Sequence, residues 1–293
     1  MTPHIEYESL GDPSHPAIVL IMGLGMQLIA WPDNFCQALV ARGFRVIRFD
    51  NRDVGLSGRL GGARRPNVPL AVAASALGLP VRTAYTLADM ADDTVGLMDR
   101  LGIARAHIVG ASMGGMIAQV LAARHPQRVM SLTSIMSTSG NRKLSRPSKA
   151  AGKALLARPA DPNDPEVVIE HLVHTFGVIG SPGYPSTREE LRKRIGRSVR
   201  RAYDPAGVAR QLVAVIASGD RRKVLATIKA PTLVIHGAAD PLVPPAAGRD
   251  TARHIPGARL EIIGGMGHDL PEALLPRLAT LVADHCCAAA GGY

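Results

Sequence analysis

Ser112, Asp240 and His268 are the residues of this chain whose types and surroundings could do chemistry together. A serine hydroxyl attacks an acyl carbon at neutral pH only when a base takes its proton, and that base must be oriented and charge-stabilised by a third group. Ser112 stands in Gly110-Ala111-Ser112-Met113-Gly114, between the apolar run His107-Ile108-Val109 and the helix-like stretch Met113 to Leu121. That arrangement reads strand, sharp turn, helix. A serine on such a turn is held in a strained conformation that pushes its Oγ out of the sheet, and small residues on either side let strand and helix approach closely. With 30 glycines in 293 residues, the five-residue pattern alone is weak, and its surroundings must decide.

Those surroundings supply a base and an acid. In open α/β sheets, functional residues gather beyond the carboxyl ends of strands. Asp240 follows the run Thr232-Leu233-Val234-Ile235 through Gly237-Ala238-Ala239, and His268 follows Leu260 to Ile263 through Gly264-Gly265-Met266-Gly267. The chain order Ser, Asp, His is the hydrolase order. Two other acids compete. Asp269 adjoins the histidine and cannot easily turn its carboxylate onto that ring, while Asp250 sits within a helix-like stretch, so Asp240 is preferred.

A tetrahedral intermediate also needs donors for its developing oxyanion. The N–H of Met113, opening the helix after Ser112, is one candidate. The second is the N–H of Leu24, brought toward the pocket by Met22-Gly23-Leu24-Gly25, whose glycines let the backbone turn. Gly23, Gly25 and Trp31 are candidate pocket-lining positions, with Trp31 equally readable as helix packing. The charged turn Asp50-Asn51-Arg52-Asp53-Val54-Gly55-Leu56-Ser57 precedes Ser112 in the chain. It is read as a structural Arg52–carboxylate pair holding the loop, not as a source of the catalytic acid.

The elements that must position these side chains are visible as short, mostly apolar runs rich in β-branched residues: 17–22, 44–49, 106–109, 129–136, 232–235 and 258–263. Such runs suit strands buried on both faces. Helix patterns lie between them at 33–42, 87–101 with Thr86 as N-cap, and 113–124. Strand and helix alternate, which predicts a mostly parallel sheet with helices on both faces, and 5–10 adds an antiparallel edge strand. The alternation fails between about 140 and 217. The expected organisation is a core of 1–137 and 218–293 with an inserted helical cap over 138–217. A second irregular stretch, Arg59 to Tyr85, contains the apolar run 70–79, expected to form a pocket wall or a homodimer contact, with ordinary core packing as the alternative.

Bulk composition is that of an ordinary globular chain, with 46% hydrophobic and 20% charged residues. An acidic N-terminal segment, and no run approaching the ~20 apolar residues of a membrane span, lead us to expect a cytoplasmic protein without stable membrane insertion. Three cysteines, two of them adjacent, do not suggest a disulfide framework. The formal net charge of +10 is concentrated: residues 138–229 hold 18 Lys+Arg against 8 Asp+Glu. With only 3% aromatic residues to stack on bases, this excess is read as a solvated helix face around Arg192 to Arg201, with attraction of anionic substrates or surfaces as the next reading and nucleic-acid binding disfavoured. No His or Cys cluster has metal spacing and no phosphate-binding loop follows the first strand, so neither metal nor cofactor is expected.

With these residues placed, the chain resembles the α/β-hydrolase fold enzymes, in particular the aclacinomycin methylesterase-like serine carboxylesterases. The likeness is carried by Leu20-Ile21-Met22-Gly23, Trp31-Pro32-Asp33, Val46-Ile47-Arg48-Phe49-Asp50, the elbow around Ser112 and Gly265-Met266-Gly267-His268. It covers both flanks of the chain and fails in the cap. The resemblance implies carboxylic ester hydrolysis without a cofactor, with Ser112, His268 and Asp240 as triad and the Leu24 and Met113 amides as oxyanion donors. Leu24 departs from that branch, which has glycine there, and narrows the pocket. The implied substrate is a small-molecule ester with a short- to medium-chain acyl group or a small methyl or aryl ester. A lactone opened by the same triad is the alternative, and a ligand-binding protein that keeps the fold without turnover is the remote one.

Overall fold

The apolar runs pair into one seven-stranded sheet in the order β1-β3-β2-β4-β5-β6-β7. The computed structural model describes residues 3–60 and 66–290. Its strands are β1 (Tyr7–Leu10), β2 (Ala17–Ile21), β3 (Arg45–Phe49), β4 (Ala106–Ala111), β5 (Val129–Ile135), β6 (Thr232–Gly237) and β7 (Arg259–Ile263). β1 runs antiparallel to β3 along one edge, and the remaining pairings are parallel.

The period-two alternation of each strand feeds two cores. In β2, Ile18 and Leu20 pack on one face with Phe35 and Leu39 of α1 (Asp33–Val40) and Leu278 and Val282 of α11 (Leu275–Ala290). Val19 and Ile21 pack on the other with Met90 and Leu97 of α3 (Leu87–Arg100) and Ile117 and Leu121 of α4 (Met113–Arg124). Each such side chain, fully withdrawn from water, contributes ~1.5–3 kcal/mol. α3 starts at a reciprocal capping box between Thr86 and Asp89, which satisfies two backbone donors that a helix start otherwise leaves open.

Register aligns the carboxyl ends of the central strands at one rim. Ile21 pairs with Gly110, Ala111 with Ile135 and Gly237 with Ile263. The loops that leave this rim carry Leu24, Ser112, Asp240 and His268.

Between β5 and β6 lie α5 (Lys149–Leu156), α6 (Pro165–Ile179), α7 (Arg188–Arg201), α8 (Pro205–Ser218) and the single turn α9 (Arg222–Leu225); α10 (Pro245–His254) joins β6 to β7. α6 and α7 form a hairpin with its own small core of Ile169, Val173, Leu191 and Ile195. Its outer side is tied by Glu166 and Glu170, which receive Arg188, Arg192 and Arg200. Much of the arginine-rich face of α7 is therefore paired with acids of the neighbouring helix.

Two segments differ from their sequence reading. Glu272–Ala290 is long and apolar enough to cross a membrane by length and composition, although no such run was expected. Its Leu275, Leu278, Val282 and Cys286 are buried against α1 and β5, which makes it a core helix. The apolar run after Arg59 forms α2 (Val68–Ala76), which rests on α8. It is not a pocket wall: Leu70, Val72, Leu77 and Leu79 face solvent.

Candidate active site

Ser112 adopts φ +55° and ψ −119°, a left-handed conformation that costs a non-glycine residue ~1–3 kcal/mol and persists only where its surroundings enforce it. Here the enforcement comes from both flanks. The Ser112 N–H donates to Ile135 O at 2.9 Å, and its carbonyl accepts from Ser137 Oγ at 2.8 Å. The glycines of the elbow are required sterically. A Cβ on Gly110 would stand 2.2 Å from the Gly114 carbonyl oxygen, and one on Gly114 would stand 2.0 Å from that of Ile21.

Three distant stretches of chain meet at this turn. His268 Nε2 lies 2.9 Å from Ser112 Oγ, and His268 Nδ1 lies 2.7 Å from Asp240 Oδ2. Asp240 is buried, and its other oxygen accepts the backbone N–H groups of Leu242 and Val243 at 2.9 and 2.8 Å. Burial alone would raise the Asp240 carboxyl, but hydrogen bonds from His236, His268 and the Val243 amide outweigh it and hold the group down at about 2. The ionised carboxylate accepts the Nδ1–H proton, so Nε2 presents its lone pair to the Ser112 hydroxyl. The two loops are laced together by Ala238 N–H to Ile263 O and Ala239 N–H to Met266 O, both 2.9 Å.

The competing acids are engaged elsewhere. Asp269 accepts from Ser181 Oγ, which in turn accepts the Gly267 N–H at 2.8 Å. Asp250 accepts from Ser139 Oγ at 2.5 Å.

The loop after β2 abuts the elbow. A Cβ on Gly23 would lie 3.2 Å from Ser112 Cβ and 3.7 Å from its Oγ, so a side chain there would crowd the elbow. Gly23 to Met26 is a tight turn, closed by Met26 N–H to Gly23 O at 3.2 Å, with Gly25 at φ +68° in the position that favours glycine. The Gly23 carbonyl and the Leu24 N–H belong to one planar peptide, so fixing the first aims the second. Neither the Leu24 nor the Met113 amide has an acceptor among the described residues.

The sequence pattern of the α/β-hydrolase fold matches residues 16–177. The chain belongs to the α/β-hydrolase fold family. Among its relatives is the rhodomycin D methylesterase of Streptomyces peucetius, 30% identical, covering 96% of this chain and 94% of the relative. A putative carbamate hydrolase of a Caulobacter strain is 28% identical over 91% of both chains. Among solved structures, the enol-lactonase of Burkholderia xenovorans superposes with a TM-score of 0.71 at 26% identity and 97% coverage of each chain. The resemblance to methylesterase-like hydrolases read from the elbow and the histidine loop thus extends along nearly the whole chain.

Other expectations change in this hydrolase. Trp31 does not reach the site: it is fully buried, stacked on Phe35 in the core, while its carbonyl accepts from Arg48. Gly25 lies under the cap, where a Cβ would stand 3.0 Å from Val208. Arg52 pairs with Asp93 of α3, outside its own turn. The acids of that turn instead reach into the cap, Asp50 to Arg201 at 2.7 Å and Asp53 to Arg210 in a two-pronged pair at 2.7 and 2.9 Å.

Sequence reading missed the residues that hold the site from the cap side. Gln211 Oε1 on α8 accepts the Gly25 N–H at 2.9 Å, while its Nε2 donates to Arg52 O at 2.8 Å. Gln27 Nε2 donates to Ser198 O and Ala202 O, and its Oε1 accepts from Arg201. The His268 N–H donates to Ile179 O at the end of α6. His236, fully buried in β6, puts Nε2 2.7 Å from Val243 O and 3.5 Å from Asp240 Oδ2. A cavity of about 320 Å³ is lined in part by Phe176, Ser181, Leu191, Ala239 and Asp269; Ala239 and Asp269 are the chain neighbours of Asp240 and His268, which are not themselves in its lining. Among the described residues no group of His, Cys, Asp or Glu is placed to hold a metal ion.

Proposed function

We propose that this hydrolase is a serine carboxylesterase acting through an acyl-enzyme on Ser112. The reading rests on one observation: the contacts from Asp240 to His268 and from His268 to Ser112 are both within hydrogen-bond range, 2.7 and 2.9 Å. Ser112 Oγ attacks the acyl carbon while its proton passes to His268 Nε2. The carbonyl electron pair moves onto oxygen, which is met by the Leu24 and Met113 N–H groups. Asp240 stabilises the imidazolium that forms. Collapse of the intermediate breaks the bond to the alcohol oxygen, which leaves with the proton from Nε2. A water then enters, gives a proton to the same nitrogen and attacks the acyl carbon, and the carboxylic acid departs as Ser112 regains its proton.

Short- to medium-chain acyl esters and small methyl or aryl esters are the substrate class. The methylesterase relative supports this reading across the chain's length. A second reading, lactone opening by the same steps, is favoured by the enol-lactonase neighbour, whose chain is covered as fully. Hydrolysis of a p-nitrophenyl ester series of increasing acyl length, alongside a homoserine lactone and an enol lactone, separates the two. An esterase turns over the short esters with kcat/KM well above that for either lactone. The reverse order assigns the enzyme to lactones, and tight binding of these compounds without turnover would remove the catalytic reading.

A further inference from the structure

Helix α2 is built inside out. It buries Ala71 and Ser75, the small residues one turn apart that lie against the body of the protein. The large apolar side chains on it and just past its end point away, with Leu70 65% and Leu77 75% exposed, and Val72 and Leu79 exposed beside them. A surface helix stabilised by its own burial would show the opposite pattern. An apolar surface of this kind marks a place where something else is bound.

The charge beside it is mostly of one sign. Arg82 follows it, and 139–158, which meets α2 through Arg142 Nη1 donating to Ser75 O, contains six Lys+Arg and no Asp or Glu; Arg59, ahead of it, lies 3.8 Å from Asp204. Among the described residues no ion pair ties Arg82, Lys143, Arg146, Lys149, Lys153 or Arg158 to an acid, and all six are exposed. This contrasts with α7, where Arg188, Arg192 and Arg200 meet Glu166 or Glu170, Arg197 meets Asp33 and Arg201 meets Asp50. The same basic region presents Leu155 and Leu156, exposed at the end of α5.

We propose that α2, together with Arg82 and the basic segment 139–158, docks the protein on an anionic lipid surface. A helix of nine residues cannot span a bilayer. It can lie in the plane of the interface, with leucine and valine in the acyl boundary and lysine and arginine among the headgroups. A second copy of the chain would bring the same uncompensated positive charge against itself. A nucleic acid would answer the charge but leave the leucines in water, and the chain has few aromatic residues on which bases could stack. An anionic membrane satisfies both observations at once. Membrane binding and ester turnover are separate readouts, so failure of either leaves the other intact.

The test mixes the full chain with sedimenting vesicles of phosphatidylcholine alone and of equal parts phosphatidylcholine and phosphatidylglycerol, at low and at raised salt. The protein should partition onto the mixed vesicles, weakly or not at all onto the neutral ones, and less as salt rises. Leu70→Ser with Leu77→Ser should lower that partition on the order of tenfold or more, since two apolar side chains lose their insertion. Both positions are solvent-facing, so hydrolysis of a soluble p-nitrophenyl ester should persist in this variant and report that it is folded. Arg82→Glu with Lys149→Glu should weaken binding and flatten its salt dependence. Failure of the unaltered protein to bind mixed vesicles overturns the proposal, and so does a leucine variant that binds as well as the parent. Light scattering that shows a dimer converted to monomer by the leucine changes, with no vesicle binding, would assign the face to a second copy instead. An RNA oligonucleotide bound equally by parent and leucine variant, again without vesicle binding, would assign the charge to nucleic acid.

Discussion

Gly25 and Gln211 are separated by 186 residues and joined by one hydrogen bond, from the Gly25 N–H in the turn after β2 to Gln211 Oε1 on cap helix α8 at 2.9 Å. Gly25 directly follows Leu24, whose amide is the proposed oxyanion donor. The inserted helices therefore reach the turn itself. They fix one side of the turn that must aim a backbone donor, while Asn51 Nδ2, donating to Met22 O at 2.9 Å, fixes the other from the core.

Gln211→Leu should consequently lower kcat about tenfold with KM little changed. A buried donor left without its acceptor costs ~1–3 kcal/mol, which the turn can relieve only by moving, whereas complete loss of an oxyanion donor typically costs ~10²- to 10³-fold. Steady-state kinetics on a p-nitrophenyl ester, with a thermal melt as control, checks this. An unchanged kcat in a variant with a lowered melting temperature would give Gln211 a purely structural role.

The acid limb of the pH–rate profile should follow a single proton. Asp240 sits at about 2 in the folded protein against an ordinary value of 3.8, so the stability it contributes is fully present above 3.8 and is lost only as pH falls through about 2. In the proposed mechanism a proton on His268 Nε2 would remove the base, while the Asp240 carboxyl contributes no titration above 3.8. Any acid limb of log kcat/KM above pH 4 should therefore have a slope of one. A slope of two on that limb would mean that a second group, such as the Asp240 carboxyl, titrates with it.

Much of this arrangement is legible in the sequence because its signals are local. The elbow announces itself by Gly110, which must be glycine for its contact with Gly114 four residues on, and by Gly114, which must be glycine to pass Ile21 of the neighbouring strand, and the histidine loop by glycines immediately after an apolar run. The strands are apolar on both faces, so their runs stand out. What is illegible depends on contacts between polar residues far apart in sequence. Nothing in the pattern of α8 marks Gln211 and Arg210 as partners of Gly25 and Asp53. Trp31 before a helix suits a pocket as well as a core. The orientation of α2 could not be read either, since a helix apolar all round has no preferred face.

His107 offers a stability test remote from catalysis. It is buried in β4, with Nδ1 2.8 Å from Ser131 Oγ. Burial, with the nearby His285 adding to it, pushes its imidazole down from 6.5 to about 4. An unfolded chain takes up this proton near 6.5 and the folded one only near 4, so folding loses stability as pH falls through that window and is unaffected above it. At pH 5 the loss is on the order of 2 kcal/mol. His107→Gln keeps a polar group for Ser131 and removes the titration. Its melting temperature should drop less than the parent's between pH 7.5 and pH 5, and an equal drop would contradict the assignment.

The hydroxyl of Ser112 is the atom on which every step of the proposed mechanism turns. Steady-state hydrolysis of a short-chain p-nitrophenyl ester by Ser112→Ala, compared with the parent protein, should show kcat reduced on the order of 10⁴-fold or more. A variant that keeps its rate within about tenfold of the parent would show that the acyl group is never carried by this residue.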